Sequence, residues 1–280
     1  MIFSCSQPQF AVLPPACATV PGNFRNVEIN GRKHEDLMTQ MQRLRGHVYL
    51  QDGAISNKDL TSDGRHRLRV DETSWHVLSL DQSGKVVACL RYLDEGGAVS
   101  FRDLWVRHAS VASSPVTGAR FRRTVEQAMK RARQWDIGFG EVGGWAVAAE
   151  RRLTLEPLRI ILATYGLLEL LGSASGVATA TVRHGSSTIL RKIGLTALQS
   201  DGEELAPYYD PAYGCEMEVL QFDSRFPNPK YRDKVKELSS CLTTAPVICR
   251  ETRTTSFCDR WRGLDLAPVN LPMTPVLAGV

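Results

Sequence analysis

The segment from Glu141 to Leu195 constrains the fold more than any other part of the chain. It reads EVGGWAVAAERRLTLEPLRIILATYGLLELLGSASGVATATVRHGSSTILRKIGL. Its pattern is strand, turn, long apolar helix, strand, short helix. The predicted strand Gly138–Val147 carries a lone carboxylate, Glu141, in uncharged surroundings. The helix spans about Leu155 to Leu171, and Gly172 supplies a C-terminal stop. Leu158, Ile161, Leu162, Tyr165 and Leu168 along it read as core. GVATATV is an uncharged run of the kind a buried central strand needs. Ser186 or Ser187 is placed to cap the short helix ending at Gly194.

Around this unit the pattern is coarser. Leu37, Met41, Leu44 and Val48 repeat at helical spacing and predict a helix over Lys33–Gln51. QDGAISNKDLTSDGRHR is polar and turn-rich, a loop or mobile flap. WHVLSLD and KVVACLRYL form a hairpin, and GGAVSFRDLWV predicts a third strand. A helix follows over Thr117–Gln134, and GCEMEVLQF is the last clear strand before a helical patch at YRDKVKELSS. This order predicts a mixed α/β (α+β) domain over residues 29–225. Residues 1–28 read as a flexible leader and 226–280 as a partly disordered extension.

Composition narrows the classes. The chain has 280 residues, 43% of them apolar, which suffices for one sizeable core. A net charge of +4 does not make a nucleic-acid binder of the whole chain. Seven cysteines without a C-x-x-C pair predict free thiols in a reducing cytoplasm and no metal site. The N-terminus has no basic residue before Arg25 and no unbroken apolar stretch, so a signal peptide is not expected. The most apolar helix carries Arg159 and Glu169 and falls short of the about 20 residues a membrane span needs.

Several motifs stand in a telling order. Arg45 is followed four residues later by Tyr49. Ala88-Cys89-Leu90-Arg91-Tyr92 ends the hairpin. Glu141 to Val147 reads E-V-G-G-W-A-V. In that order they resemble the GNAT acyltransferase superfamily, and within it the acyl-homoserine-lactone (autoinducer) synthases and the N-acyl amino acid synthases. The resemblance covers roughly residues 33–223. It implies a GNAT-like fold with a mixed, mostly antiparallel sheet flanked by helices. It also implies a cytoplasmic enzyme that moves a fatty acyl group from a thioester, on acyl carrier protein or CoA, to the α-amino group of an amino acid or related amine. The thioester is a co-substrate, and no cofactor is implied.

Departures from the pattern refine this. Gly144 stands where the lactone synthases have Arg, and their acidic run is reduced to Asp71 and Glu72. Both point from the lactone toward an N-acyl amino acid, with a lactone synthase using S-adenosylmethionine as the alternative. Acetyl-CoA-dependent relatives have a glycine-rich turn after the fourth strand. Here Arg152 is followed by Leu153, Thr154, Leu155 and Glu156, whose Cβ atoms and charge oppose a pyrophosphate. Their proton-donor Tyr is replaced by Leu190. A carrier-protein donor is therefore favoured.

The resemblance assigns roles. Glu141 is the candidate base, against a strand-end carboxylate paired with Arg. Arg91 is the candidate anchor for the acceptor's carboxylate, against an ion pair to Glu141 or Asp103. Arg45 and Tyr49 are candidates to hold the acceptor, against helix-edge and core roles. Backbone amides near Val147, freed by splayed strands, are placed for the thioester carbonyl. His184 and Ser186 are candidates for the donor's pantetheine arm, against a helix cap for Ser186.

Finally, the helix GARFRRTVEQAMKRARQW sets Arg120, Arg122, Arg123, Lys130 and Arg131 against Glu126 alone. It is a candidate docking face for acidic acyl carrier protein, against a plain solvated face. A non-catalytic carrier-protein or nucleic-acid binding module is the reading of another class.

Overall fold

The computed structural model describes residues 9–250 except 17, 97, 99, 184 and 201. The strands are β1 (Gln9–Leu13), β2 (Val27–Ile29), β3 (Ser74–Leu80), β4 (Val86–Asp94), β5 (Gly138–Val147), β6 (Ala174–Thr181), β7 (Thr196–Ala197), β8 (Gln199–Ser200), β9 (Glu203–Glu204), β10 (Tyr208–Asp210), β11 (Cys215–Asp223) and β12 (Val247–Cys249). The helices are α1 (Gly31–Gln51), α2 (Gly118–Gln134), α3 (Glu156–Leu170), α4 (Ser186–Ile193) and α5 (Arg232–Thr244). The main sheet runs β10-β11-β6-β5-β4-β3-β1-β12-β2, with β7 paired to β11. β5 and β6 are parallel, as are β1–β12 and β12–β2; the other pairs are antiparallel.

Two helical layers cover the sheet. On one face α3 and α5 bury Val12, Val77, Leu90, Trp145 and Phe222 in the largest apolar cluster. Gly166 lets these helices meet closely: a Cβ there would lie 2.8 Å from the Ser239 backbone nitrogen. On the other face, α1 packs on Leu13, Leu78, Cys89 and Ala146. α2 covers Phe139, Val177 and Val219 beside it. α1 begins where the Asn30 side chain accepts the Lys33 N–H at 3.0 Å.

Three expectations change. The leader is not loose throughout. Residues 10–13 are buried in a strand whose five residues all pair with β3. The segment after residue 225 is likewise part of the fold up to Arg250. Val235, Leu238 and Leu242 of α5 enter the main core, and β12 slots between β1 and β2. Short parallel strands from the two chain ends show no local pattern, so neither was expected.

The third strand predicted at GGAVSFRDLWV is absent among the described residues. β4 is already paired on both edges, by β3 and β5, and offers no place for it. The chain forms 3₁₀ turns at Phe101–Asp103, Trp105–His108 and Ser110–Ser113 instead. The Asp103 carboxylate accepts the Ser100 N–H at 2.8 Å. Phe101, Leu104 and Val106 turn inward against α2.

Candidate active site

β5 and β6 part company midway. Their pairing runs from Gly138–Ala174 to Val142–Ala178 and stops, though both strands continue. β5 is also irregular on its other side, where its register with β4 shifts between Cys89 and Arg91. Gly144 sits in this bulge at φ +65°, a conformation that favours glycine. A Cβ there would lie 3.3 Å from the Arg91 Cβ and 3.4 Å from Arg45 Nη1. Beyond the bulge, the Ala148 N–H donates to the Val87 carbonyl at 2.8 Å. Strand alternation then turns the N–H of Val147 away from β4, into the gap that β6 has left. The side chain of Val147 is itself buried.

Glu141 pairs with Val177, one residue before the strands part, and is 7% exposed. It is not alone, because the Glu95 carboxyl is drawn to the same spot. One 3₁₀ turn holds both groups. The Trp105 N–H donates to Glu95 Oε1 at 3.1 Å, and the Val106 N–H to Glu141 Oε1 at 2.8 Å. Burial, and then the neighbouring Glu95 charge, push the Glu141 carboxyl above the ordinary range. Burial raises Glu95 as well. Two ionised carboxylates held on adjacent amides repel, which favours a proton on one of them. Among the described residues no Arg lies within ion-pair distance of Glu141, so the strand-end pairing is not what holds it.

Arg91 pairs with neither Glu141 nor Asp103. Its Nη1 lies 3.6 Å from Asp71 Oδ1, and neither its Nε nor its Nη1 has a hydrogen-bond partner among the described residues. It is 2% exposed. Burial pulls its pKa down, against the opposing charge of Asp71. A buried guanidinium with idle donors is suited to a carboxylate or an oxyanion.

Arg45 is differently placed. It is fully buried and held by both Asp71 oxygens, at 2.9 and 2.6 Å. Its Nε donates to His66 Nδ1 at 3.2 Å, which fixes that ring as neutral with its proton on Nε2. Gln42 adds a third donor to Asp71 at 3.1 Å. Tyr49 is fully buried against the His66 ring, with centroids 5.6 Å apart. Arg45 and Tyr49 therefore build the wall behind Arg91, and neither is exposed. The same bonds pin the segment expected to be a mobile flap, through His66.

Sequence reasoning missed Glu95 and the central place of Asp71. Glu95 lies two residues beyond Leu93, which pairs with Glu141, and period-2 alternation puts it on the same face. That register was the available signal. Asp71 ends a short 3₁₀ turn over Arg69–Asp71, where spacing carries none.

On the opposite face a small apolar cavity lies under the fork. Val142, Ile161, Tyr165, Leu168, Leu190 and Phe222 are among its walls. Val142 is the last paired residue before β5 and β6 diverge. Ser186 is buried, and α4 starts from Gly185 at φ +71° with no side-chain cap. The expected serine cap is replaced. Thr181 Oγ1 lies 3.4 Å from Ser186 Oγ, and Ser187 donates to Glu218. Ser186 thus has no surface for a pantetheine arm, and His184 lies outside the described residues.

The basic helix is α2. Arg122, Arg123 and Lys130 are exposed, while Arg120 and Arg131 are half-buried. Arg120 pairs with Glu203 at 3.2 Å, and Arg131 donates to Gln221 at 3.4 Å. Among the described residues no helix is long and apolar enough to cross a membrane.

No family model matches the sequence, and no curated protein matches it either. Solved structures do. A CoA-dependent acyl-homoserine lactone synthase, BjaI, bound to SAM and isopentyl-CoA, matches at TM-score 0.51 and 15% identity, over 87% of this chain and 93% of that one. Its MTA complex matches at TM-score 0.50 and 14% identity over the same shares. FeeM, an N-acyl amino acid synthase from uncultured soil microbes, matches at TM-score 0.46 and 10% identity, over 70% and 88%. The chain thus has the α/β fold of the acyl-homoserine lactone synthase BjaI.

Proposed function

We propose that this chain is an N-acyltransferase. It moves a fatty acyl group from an acyl thioester to the α-amino group of an amino acid or a related amine. The observation that carries this reading is the placement of Glu141. It is a buried carboxylate beside the gap between β5 and β6, and an apolar cavity lies under the same fork on the other face.

The chemistry follows from these parts. The acceptor arrives as an ammonium and must lose a proton before its nitrogen can attack. A carboxylate with a raised pKa takes that proton near neutral pH. The thioester carbonyl lies in the gap, where the N–H of Val147 opposes charge developing on its oxygen. Arg91, with idle donors, receives the acceptor's carboxylate. The acyl chain passes the parting of β5 and β6 toward the small cavity walled by Val142, Leu190 and Phe222, whose walls must part to admit it. Leu190 continues that apolar wall, a place where a phenol would meet few partners.

The exposed cations of α2 favour acyl carrier protein as donor, since an acidic carrier is steered by such a face. The fold shared with BjaI, itself a CoA-dependent lactone synthase, supports a second product class. The test offers the full chain acyl carrier protein or CoA loaded with C8–C16 chains, with pooled amino acids or S-adenosylmethionine. Mass spectrometry then reads the products. An N-acyl amino acid supports the proposal and a lactone supports the second reading. Tight carrier or DNA binding without any acyl product would make the protein a binding module.

A further inference from the structure

The Glu95 and Glu141 carboxyl groups come from different segments, one just past the end of β4 and one within β5. Adjacent amides of a single turn, Trp105 and Val106, grip one oxygen of each. No ion pair at 4.0 Å or less reaches either carboxylate among the described residues. Two ionised carboxylates held on adjacent amides with no counter-ion repel each other, so the pair is relieved by keeping one proton. Such an arrangement is costly to bury without a purpose. A single carboxylate gripped by one amide would serve a merely structural end.

From this geometry we propose that Glu95 and Glu141 work as one unit, which holds a single proton at rest and takes up a second during acyl transfer. The inference rests on the acyl-transfer reading for its chemistry. Glu141 faces the reacting atoms, and Glu95 is a positioning residue that acts through it. The acceptor's ammonium gives one proton to the ionised carboxylate of the pair. The freed nitrogen lone pair forms the new C–N bond at the thioester carbon. When the intermediate collapses, the C–S bond breaks and its electron pair leaves on sulfur. A second proton from nitrogen ends on that sulfur, giving an amide and a thiol. The pair then returns its extra proton to water, so the net reaction releases one proton.

The charged surroundings are few. Asp94 and Asp103 act on Glu95, and Arg91 acts on Glu141 from β4. From α2, Glu126 and Arg133 face the same loop but bond to the Phe101 N–H and the Ala98 carbonyl. Arg107, in the gripping turn, turns to the Arg102 carbonyl.

The test reads the resting protein first. Carbon NMR of the full chain labelled at glutamate carboxyls follows both groups from pH 4 to 9, in wild type, Glu95→Gln and Glu95→Asp. Wild type should show two linked titration steps, with one carboxyl proton held between them. Glu95→Gln should show a single step for Glu141, moved down by about one unit or more. Glu95→Asp should restore the two steps. The acidic limb of any acyl-transfer pH profile should move down with Glu95→Gln. Independent, ordinary titrations in wild type, or an unmoved Glu141 in Glu95→Gln, would overturn the proposal. Because the titration needs no turnover, it stands or falls separately from the acyl-transfer reading.

Discussion

Asp71 grips Arg45 through both carboxylate oxygens, and neither side chain is exposed at all. Burial opposes the Asp71 charge, and Arg45 overrides it, holding the carboxyl well below its usual range. The pair is also the support behind Arg91. Removing one partner of a buried ion pair leaves the other uncompensated, at a cost of about 3–5 kcal/mol. Asp71→Ala should therefore lower the urea midpoint strongly, and should loosen the segment around His66. An unchanged midpoint would mean that the Arg45–Asp71 pair is incidental.

Stability should fall on both sides of a pH window. Burial lowers His34 and His76 to about 4 and His66 to about 3, from 6.5. All three stay neutral in the fold while the unfolded chain protonates, so stability is lost as pH falls below about 6.5. The Glu95–Glu141 pair has the opposite sign. Its folded pKa values are raised, so its contribution is fullest below the unfolded value of 4.5 and fades as pH rises toward neutrality. Urea unfolding should show proton uptake at pH 5 and proton release near pH 7. Glu141→Gln should remove most of the release and none of the uptake.

The exposed cations of α2 should matter for one donor only. Reversing Arg122, Arg123 and Lys130 to Glu should raise KM for an acyl carrier protein donor about tenfold at low salt. The same variant should leave an acyl-CoA donor nearly unaffected. Equal effects on both donors, or none, would leave α2 a plain solvated face.

The cavity under the fork should set chain length. Leu190→Phe adds bulk to its wall, so preference should shift to chains a few carbons shorter, at a stability cost of about 1–3 kcal/mol. Competition among C8–C16 donors measures the shift. An unchanged profile would place the acyl chain elsewhere.

Much of this fold is legible in the chain because its elements carry strong local patterns. The apolar α3, the β3–β4 hairpin and the stop at Gly172 are all local facts. What escapes is set by partners distant in sequence. β1 and β12 are short strands with little local pattern that meet only when the ends of the domain fold together. The missing strand before α2 reads correctly as apolar, but the sheet has no free edge for it. At the candidate site, Glu141 and Arg91 each stand out in the sequence as a charge in an apolar strand. Glu95 needed the β4–β5 register. Arg45 stands out on its helix, but its Asp71 partner comes from a distant 3₁₀ turn that local spacing does not reveal.

The central claim is that the Glu141 centre joins an amine to a thioester-borne acyl group. The most direct measurement follows amide formation by mass spectrometry, with wild type and Glu141→Gln assayed side by side on one donor and acceptor pair. The account predicts an N-acyl product with wild type and a rate at least ~10-fold lower with the folded variant. No amide from any donor and amine, or equal rates for the two proteins, would contradict it.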